Sequence, residues 1–297
     1  ATHPPDAYSV TTNSTERDRG SIAIPPSLDV ERGDISIRPI RSLPEFLACV
    51  DLQADVWGPD YSDNVPASLL QVATYVGGVV TGAFDGAGEL AGFVFGITGV
   101  EDGEIIHWSH LLGVRDSARN LGVGRLLKEA QRAELAERGV RTMRWTFDPL
   151  VAKNAHLNLN RLGARVVEYV CDMYGTTRSP LHYGLATDRL VVSCSTHPEA
   201  VAPTFAPPTS PCPVATAEPH AGDMLLDSSS PPSVFGIEVP SDVQQVIARS
   251  PGAAAHWRES VRKYFQWGLA RGYEVTGIQR DPVTSRSFYI LEQPEGA

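Results

Sequence analysis

Residues 104–127 read EIIHWSHLLGVRDSARNLGVGRLL, and the reading of this stretch decides the fold. EIIHWSHLLGV (104–114) has the composition and length of a strand, and LGVGRLLKEAQRAELAERG (121–139) has the period of an amphipathic helix closed by Gly139. Between them stand Arg119, Gly122 and Gly124. The first N–H groups of a helix have no partner inside it and carry the positive end of its dipole. Two glycines keep side chains away from those groups, and an arginine three residues ahead adds a fork for phosphate oxygens. The combination suits a diphosphate.

Outward from this stretch, DISIRPI (34–40), the two halves of VVTGAFDGAGELAGFVFGITGV around Asp85-Gly86, RTMRWTF (141–147) and ARVVEYV read as strands. LPEFLACVDLQADVW (43–57), PASLLQVATYV (66–76) and NAHLNLNRLGA, ending at Gly163, read as helices. The order β-α-α-β-β-β-α-β-α-β predicts an α/β (α+β) fold, a mixed twisted sheet flanked by helices, over residues 34–195. Residues 1–33 lack periodicity and are expected to form a disordered arm. The Pro/Ser-rich stretch 196–233 is expected to be a semi-extended linker. Residues 234–297 offer helices (SDVQQVIARS, AAAHWRESVRKYFQWGLARG) and then strands (GYEVTGIQ, SFYILEQ). This C-terminal helix-strand-strand extension is expected to dock on the main sheet.

Composition narrows the partners. A net charge of -10 over 297 residues argues against nucleic acid and against an anionic membrane surface. No apolar run approaches the roughly 18 residues of a membrane span, and the polar start has no signal-peptide core, so a cytoplasmic location is expected. The cysteines at 49, 171, 194 and 212 have no metal or redox spacing and read as reduced thiols.

Other glycine motifs fail on particular residues. A dinucleotide-binding fingerprint needs a third glycine where Leu127 stands, and a nucleotide-hydrolase phosphate loop needs Gly-Lys-Ser/Thr. The run Arg119-Asn120-Leu121-Gly122-Val123-Gly124, five residues after a strand, resembles motif A of the GNAT superfamily of acyl-CoA-dependent N-acyltransferases. WTFDPLVAKNAHLNLNRLGA (145–164) and GLATDRLVV (184–192) resemble a bacterial subgroup marked by T-F-D-P-L, N-A-x-x-N-x-x-x-L-G-A and G-L-x-T-D-R. The resemblance covers residues 34–297 less the linker. It implies a GNAT fold, acetyl-CoA or another acyl-CoA as co-substrate, and direct attack by an amine in a ternary complex. It also implies that the strand bearing Leu112 and Val114 splays from residues 141–147, with pantetheine hydrogen-bonded to exposed backbone in the gap. Arg119 to Gly124 would then hold the diphosphate.

Amide formation from a thioester needs a neutral amine. An α-amino group, of reference pKa near ~8, loses its proton at pH 7 for about 1.4 kcal/mol, a task matched to a histidine. Alternation puts Ile106, Trp108, His110, Leu112 and Val114 on one face, with His107 on the other. His110 reads either as the general base or as a core histidine bonded to backbone. A metal shared by His107 and His110 is not expected, because the rings point apart. Many GNAT enzymes place an acidic tyrosine where this chain has Leu159, so protonation of the leaving thiolate falls to another group, with Tyr174 the candidate. Asn154 and Asn158 share a helix face and read equally as contacts to the co-substrate or as helix-end hydrogen bonds. Asp148 before Pro149 reads as a helix cap or as a holder of a substrate ammonium, and Trp57, Trp108 and Phe147 as walls of the acceptor pocket or as core.

The expectation is an N-acyltransferase moving an acetyl or other short acyl group, succinyl among the options, to the amine of a small molecule such as an amino acid or biosynthetic intermediate. Arg115, Arg144 or Arg165 would grip a succinyl carboxylate. No metal, nucleic acid or membrane is expected, and a homodimer is left open. The alternative is a catalytically silent acyl-CoA-binding module that docks a partner protein. A nucleotide-dependent enzyme is a third reading.

Overall fold

The computed structural model describes residues 35–59, 61, 63–175, 184–197, 199, 205–208, 212–216 and 231–294. The expected arm, residues 1–33, lies outside the described residues, as does most of the stretch 198–230.

Apolar alternation, or in the centre of the sheet continuous apolar runs, builds β1 (Ser36–Pro39), β2 (Val79–Phe84), β3 (Leu90–Glu101), β4 (Glu104–Val114), β5 (Thr142–Phe147), β6 (Arg165–Val170) and β7 (Arg189–Ser195). They form one mixed sheet in the order β1-β2-β3-β4-β5-β7-β6. Helices α1 (Leu43–Trp57) and α2 (Ala67–Tyr75) cover one face of its first half. The Glu45 carboxylate starts α1 by accepting from the Arg41 and Ser42 N–H groups at 2.8 and 3.1 Å. On the other face, α3 (Val123–Glu137) buries Val123 and Leu127 against Ile37, Ala83 and Val94. After β5 comes α4 (Ala152–Ala155), which widens into a π-helical turn over His156–Arg161. The mixed, helix-flanked sheet is the architecture expected from the order of elements. β7 was not among the expected strands.

The C-terminal segment builds a sheet of its own instead of lengthening the first. Strands β8 (Val214–Ala215), β9 (Val234–Val239), β10 (Glu274–Arg280) and β11 (Ser287–Glu292) take the order β10-β11-β9-β8. Helices α5 (Val243–Arg249) and α6 (Pro251–Leu269) connect β9 to β10. Two strands thus add to the expected helix-strand-strand pattern, and β8 lies inside the proline-rich stretch. One continuous core joins the sheets: Trp145, Phe147 and Leu190 of the first share a cluster with Phe235, Phe265 and Tyr289 of the second.

Polar contacts align the two parts. Arg258 of α6 donates to both Asp148 oxygens at 2.9 and 2.7 Å, and Arg262 donates to both Asp188 oxygens at 2.8 and 2.6 Å. The Asn160 amide pairs with β10 as another strand would, donating to Ile278 O at 2.8 Å and accepting from Ile278 N at 3.1 Å. The three signature stretches read from the sequence therefore each supply a side chain that receives the C-terminal sheet.

Candidate functional site: the fork between two strands

β4 and β5 pair in parallel only at Ile106, His107 and Trp108 against Thr142, Met143 and Arg144. Beyond Trp108 and Arg144 the strands part, leaving an open fork. Peptide groups alternate sides along a strand, and Arg115 N donates to Ala91 O on the β3 side at 2.9 Å. The N–H and C=O groups of Leu112 and Val114 therefore point into the fork.

The register of β4 corrects the simple alternation. Phe95 faces Leu111 while Gly96 faces Ser109, so His110 is an extra residue in a β-bulge. Ser109 points toward α3, as His107 does, and Leu112 and Val114 pack on the same side. His110 and Leu111 both turn to the α1–α2 side, where the His110 ring meets Phe95 edge-on at 6.0 Å. His110 thus shares no face with Leu112 and Val114, and its ring lies on the side of the fork opposite α3.

The start of α3 is built on glycine. Gly122 has φ 83°, the left-handed region natural to glycine, and Asn120 has φ 66°. A Cβ built on Gly124 would touch only Leu112 Cδ2 at 3.4 Å and Val114 Cγ2 at 3.9 Å, ordinary contacts. Internal packing does not require glycine there, and among the described residues no atom beyond its chain neighbours lies within 4 Å of where a Cβ on Gly122 would stand. Leu121 is half-buried and Val123 buried, so these two would serve a ligand through backbone N–H. Arg119 pairs with Asp116 at 2.9 Å on the surface, where such a pair is weak and exchangeable. These groups fit a diphosphate at the helix start and an extended amide-bearing arm in the fork.

On the α1–α2 side, His110 feels the Asp63 charge, and Asp63 in turn acts on Tyr61. Burial holds its imidazole below the ordinary 6.5, while the Asp63 carboxylate pulls in the opposite direction. Tyr61 stacks on Trp57 at 5.5 Å, and burial, Asp63 and Tyr174 push its phenol to about 12. Tyr174 shares a 3.1 Å hydrogen bond with Thr146 of β5 and lies under Arg189, 5.2 Å from its ring centre. Trp57 also backs β4: a Cβ on Gly113 would come within 3.1 Å of its ring. Trp108 is half-buried on β4.

Other candidates are placed elsewhere. Phe147 is buried in the core shared with the C-terminal sheet. Both Asp148 oxygens are taken by Arg258. Burial would raise that carboxyl's pKa, but the guanidinium holds it below the usual range. Asn158 is buried and accepts from Trp145 Nε1 at 2.9 Å, while Asn154 is exposed. Arg115 pairs with Asp55 at 2.5 Å and Arg144 with Glu101 at 2.6 Å.

His107 is structural in its contacts. Its Nδ1 lies 3.0 Å from Thr98 Oγ1 and its Nε2 3.0 Å from Gln131 Nε2, and burial with the nearby Lys128 charge lowers its pKa to about 4. Sequence reading overlooked Lys128, whose ammonium donates to Ser109 Oγ at 2.6 Å. It also missed the Tyr61–Asp63 loop. A lysine on an amphipathic helix reads as solvent-facing, and nothing local signals otherwise. Among the described residues no cluster of three or more His, Cys, Asp or Glu side chains could hold a metal, and no helix is long and apolar enough to cross a membrane. All four cysteines are free thiols.

No protein-family profile matches the chain, and no curated protein sequence matches it. Solved structures to which it is similar include the ribosomal-protein-S18-alanine N-acetyltransferase from Escherichia coli, at 18% identity over 56% of this chain and 98% of that one, TM-score 0.43. Others are Arabidopsis thaliana NAA60 in complex with acetyl-CoA (16%, 54% and 99%, 0.44) and Ard1 from Thermoplasma volcanium (13%, 54% and 97%, 0.43). Likeness at this level concerns chain path alone. In this chain the mixed sheet parts between β4 and β5, beside the start of the helix that follows β4.

Proposed function

We propose that this protein is an acyl-CoA-dependent N-acyltransferase that transfers a short acyl group to the amine of a small molecule. The observation that carries the reading is the fork: β4 and β5 part beside the start of α3, where Gly122 and Gly124 carry no side chain and packing does not demand glycine at 124. Arg119, Asn120 and the N–H groups from Leu121 to Gly124 hold the diphosphate. The peptide groups of Leu112 and Val114 hold the pantetheine arm, with Asn154 at the edge.

The acceptor enters from the α1–α2 side. His110, as a neutral imidazole at pH 7, takes the proton of the amine directly or through water. The amine nitrogen bonds to the thioester carbon, backbone N–H at the fork stabilises the charge developing on oxygen, and the C–S bond breaks. The thiolate collects a proton from Tyr174 or from water. Alignment of the two reactants supplies much of the acceleration. The Asp63 charge beside His110 suits the ammonium of an amino acid, which favours that acceptor class.

Free-thiol release from acetyl-CoA and succinyl-CoA, with a panel of amino acids and an N-terminal-alanine peptide, tests the reading. Turnover with an amino acid and a loss of about 10²-fold or more in His110→Ala are expected. Binding without turnover for every amine would reduce the protein to a binding module. Preference for the peptide would move the acceptor class.

A further inference from the structure

Where β4 and β5 part, the next residues on the α3 side are Ser109 and Trp145, and one side chain covers both. The Lys128 ammonium donates to Ser109 Oγ at 2.6 Å and stands 4.3 Å from the centre of the Trp145 ring. It therefore closes the floor of the fork. Lys128 is only 5% exposed, and among the described residues no carboxylate forms an ion pair with it. Among the described residues, the other deeply buried charges are forked to opposite charges: Arg258 to Asp148, and Asp188 to Arg262. A buried ammonium without a counter-ion is costly, and burial pulls this one down to about 7.

A small cleft of about 60 Å³, open to solvent on one side, lies beside it between α3 and the π-helical turn. Lys128, Arg132 and Arg161 place three cationic groups on its wall, with Trp145 and Met143 as apolar lining. Its one carboxylate, Glu129, is held by Arg125 at 2.7 Å. In a chain of net charge -10, this cleft is a local positive site.

We infer that Lys128 and this cleft form a subsite for an acyl group that ends in a carboxylate, so that the preferred donor is the thioester of a dicarboxylic acid. The inference rests on the acyl-CoA reading above, because the fork must deliver the acyl end to its own floor. The methylenes lie along Trp145, whose ring Asn158 orients, and the carboxylate supplies the counter-charge that Lys128 lacks. Of the arginines named from sequence, Arg115 and Arg144 hold carboxylates of the protein itself.

The test is titration calorimetry of the full chain with coenzyme A, butyryl-CoA and succinyl-CoA, on wild type and on Lys128→Met. The two thioesters carry acyl chains of equal carbon count and differ in the terminal carboxylate. Wild type is expected to bind succinyl-CoA about 10- to 100-fold more tightly than butyryl-CoA, and Lys128→Met to lose or reverse that preference. Wild-type binding of succinyl-CoA no tighter than butyryl-CoA, with coenzyme A itself bound, overturns the subsite and leaves the acyl-CoA reading standing. That comparison needs no variant to fold. If coenzyme A does not bind at all, the acyl-CoA reading fails and the subsite fails with it.

Discussion

Arg258 and Asp148 lie 110 residues apart in sequence and meet in a two-pronged ion pair, with only 3% of the arginine side chain exposed. The pair ties α6 to the end of β5, at the rim of the fork. Removing one partner of a buried pair costs about 3–5 kcal/mol where the other charge is stranded; Arg189, 3.6 Å from Asp148, softens the loss here to about 2–3 kcal/mol. Arg258→Ala is expected to lower the urea midpoint accordingly, with partial recovery on adding Asp148→Asn. A loss below about 1 kcal/mol would show that the C-terminal sheet is not anchored through this contact.

Gly124→Ala is expected to separate stability from binding. The added methyl meets only ordinary contacts inside the protein, and alanine favours the helix by up to about 1 kcal/mol. The melting temperature should hold or rise while affinity for coenzyme A falls. A variant that binds as well as wild type would place the diphosphate elsewhere. Gly122→Ala, by contrast, forces a left-handed residue with a side chain and should cost about 1–2 kcal/mol.

His110 sets a pH limb. Its neutral form is the base, and burial places its pKa below 6.5, so kcat/KM should be flat near neutrality and fall as pH drops through the shifted value. The Asp63 charge raises that pKa, so Asp63→Asn should move the limb to lower pH and His110→Ala should abolish it. A limb unmoved in Asp63→Asn would separate His110 from Asp63.

His107 predicts a stability change of its own. Its folded pKa is near 4 against an ordinary 6.5, so below pH 6.5 the unfolded chain takes up a proton that the folded one refuses. Stability present above pH 6.5 is lost on acidification toward pH 4, by about 3 kcal/mol at most. Chemical denaturation of wild type and His107→Gln across this range should show a shallower fall in the variant. Parallel curves would contradict it.

These contacts also show what could be read beforehand. α1 and β4 have the bounds their sequence patterns suggest, because helix and strand periods are local signals. The extra residue at His110 is invisible to a period of two, since one bulge reverses every later side chain without altering composition. The carboxylates of T-F-D and A-T-D-R could be located but not explained, because Arg258 and Arg262 lie far along the chain. β9 was hidden among Pro231, Pro232 and Pro240, and its order comes from pairing with β11 and β8. Lys128 was unreadable as a buried charge because its environment comes from β4 and β5, both distant in sequence.

Titration of the full chain with coenzyme A probes the fork most directly. The predicted result is one molecule bound per chain, with affinity reduced in Gly124→Ala and in Arg119→Ala while both variants stay folded. No binding heat, together with a melting temperature unmoved by saturating coenzyme A, would contradict the assignment of the fork and its helix mouth to a thioester carrier.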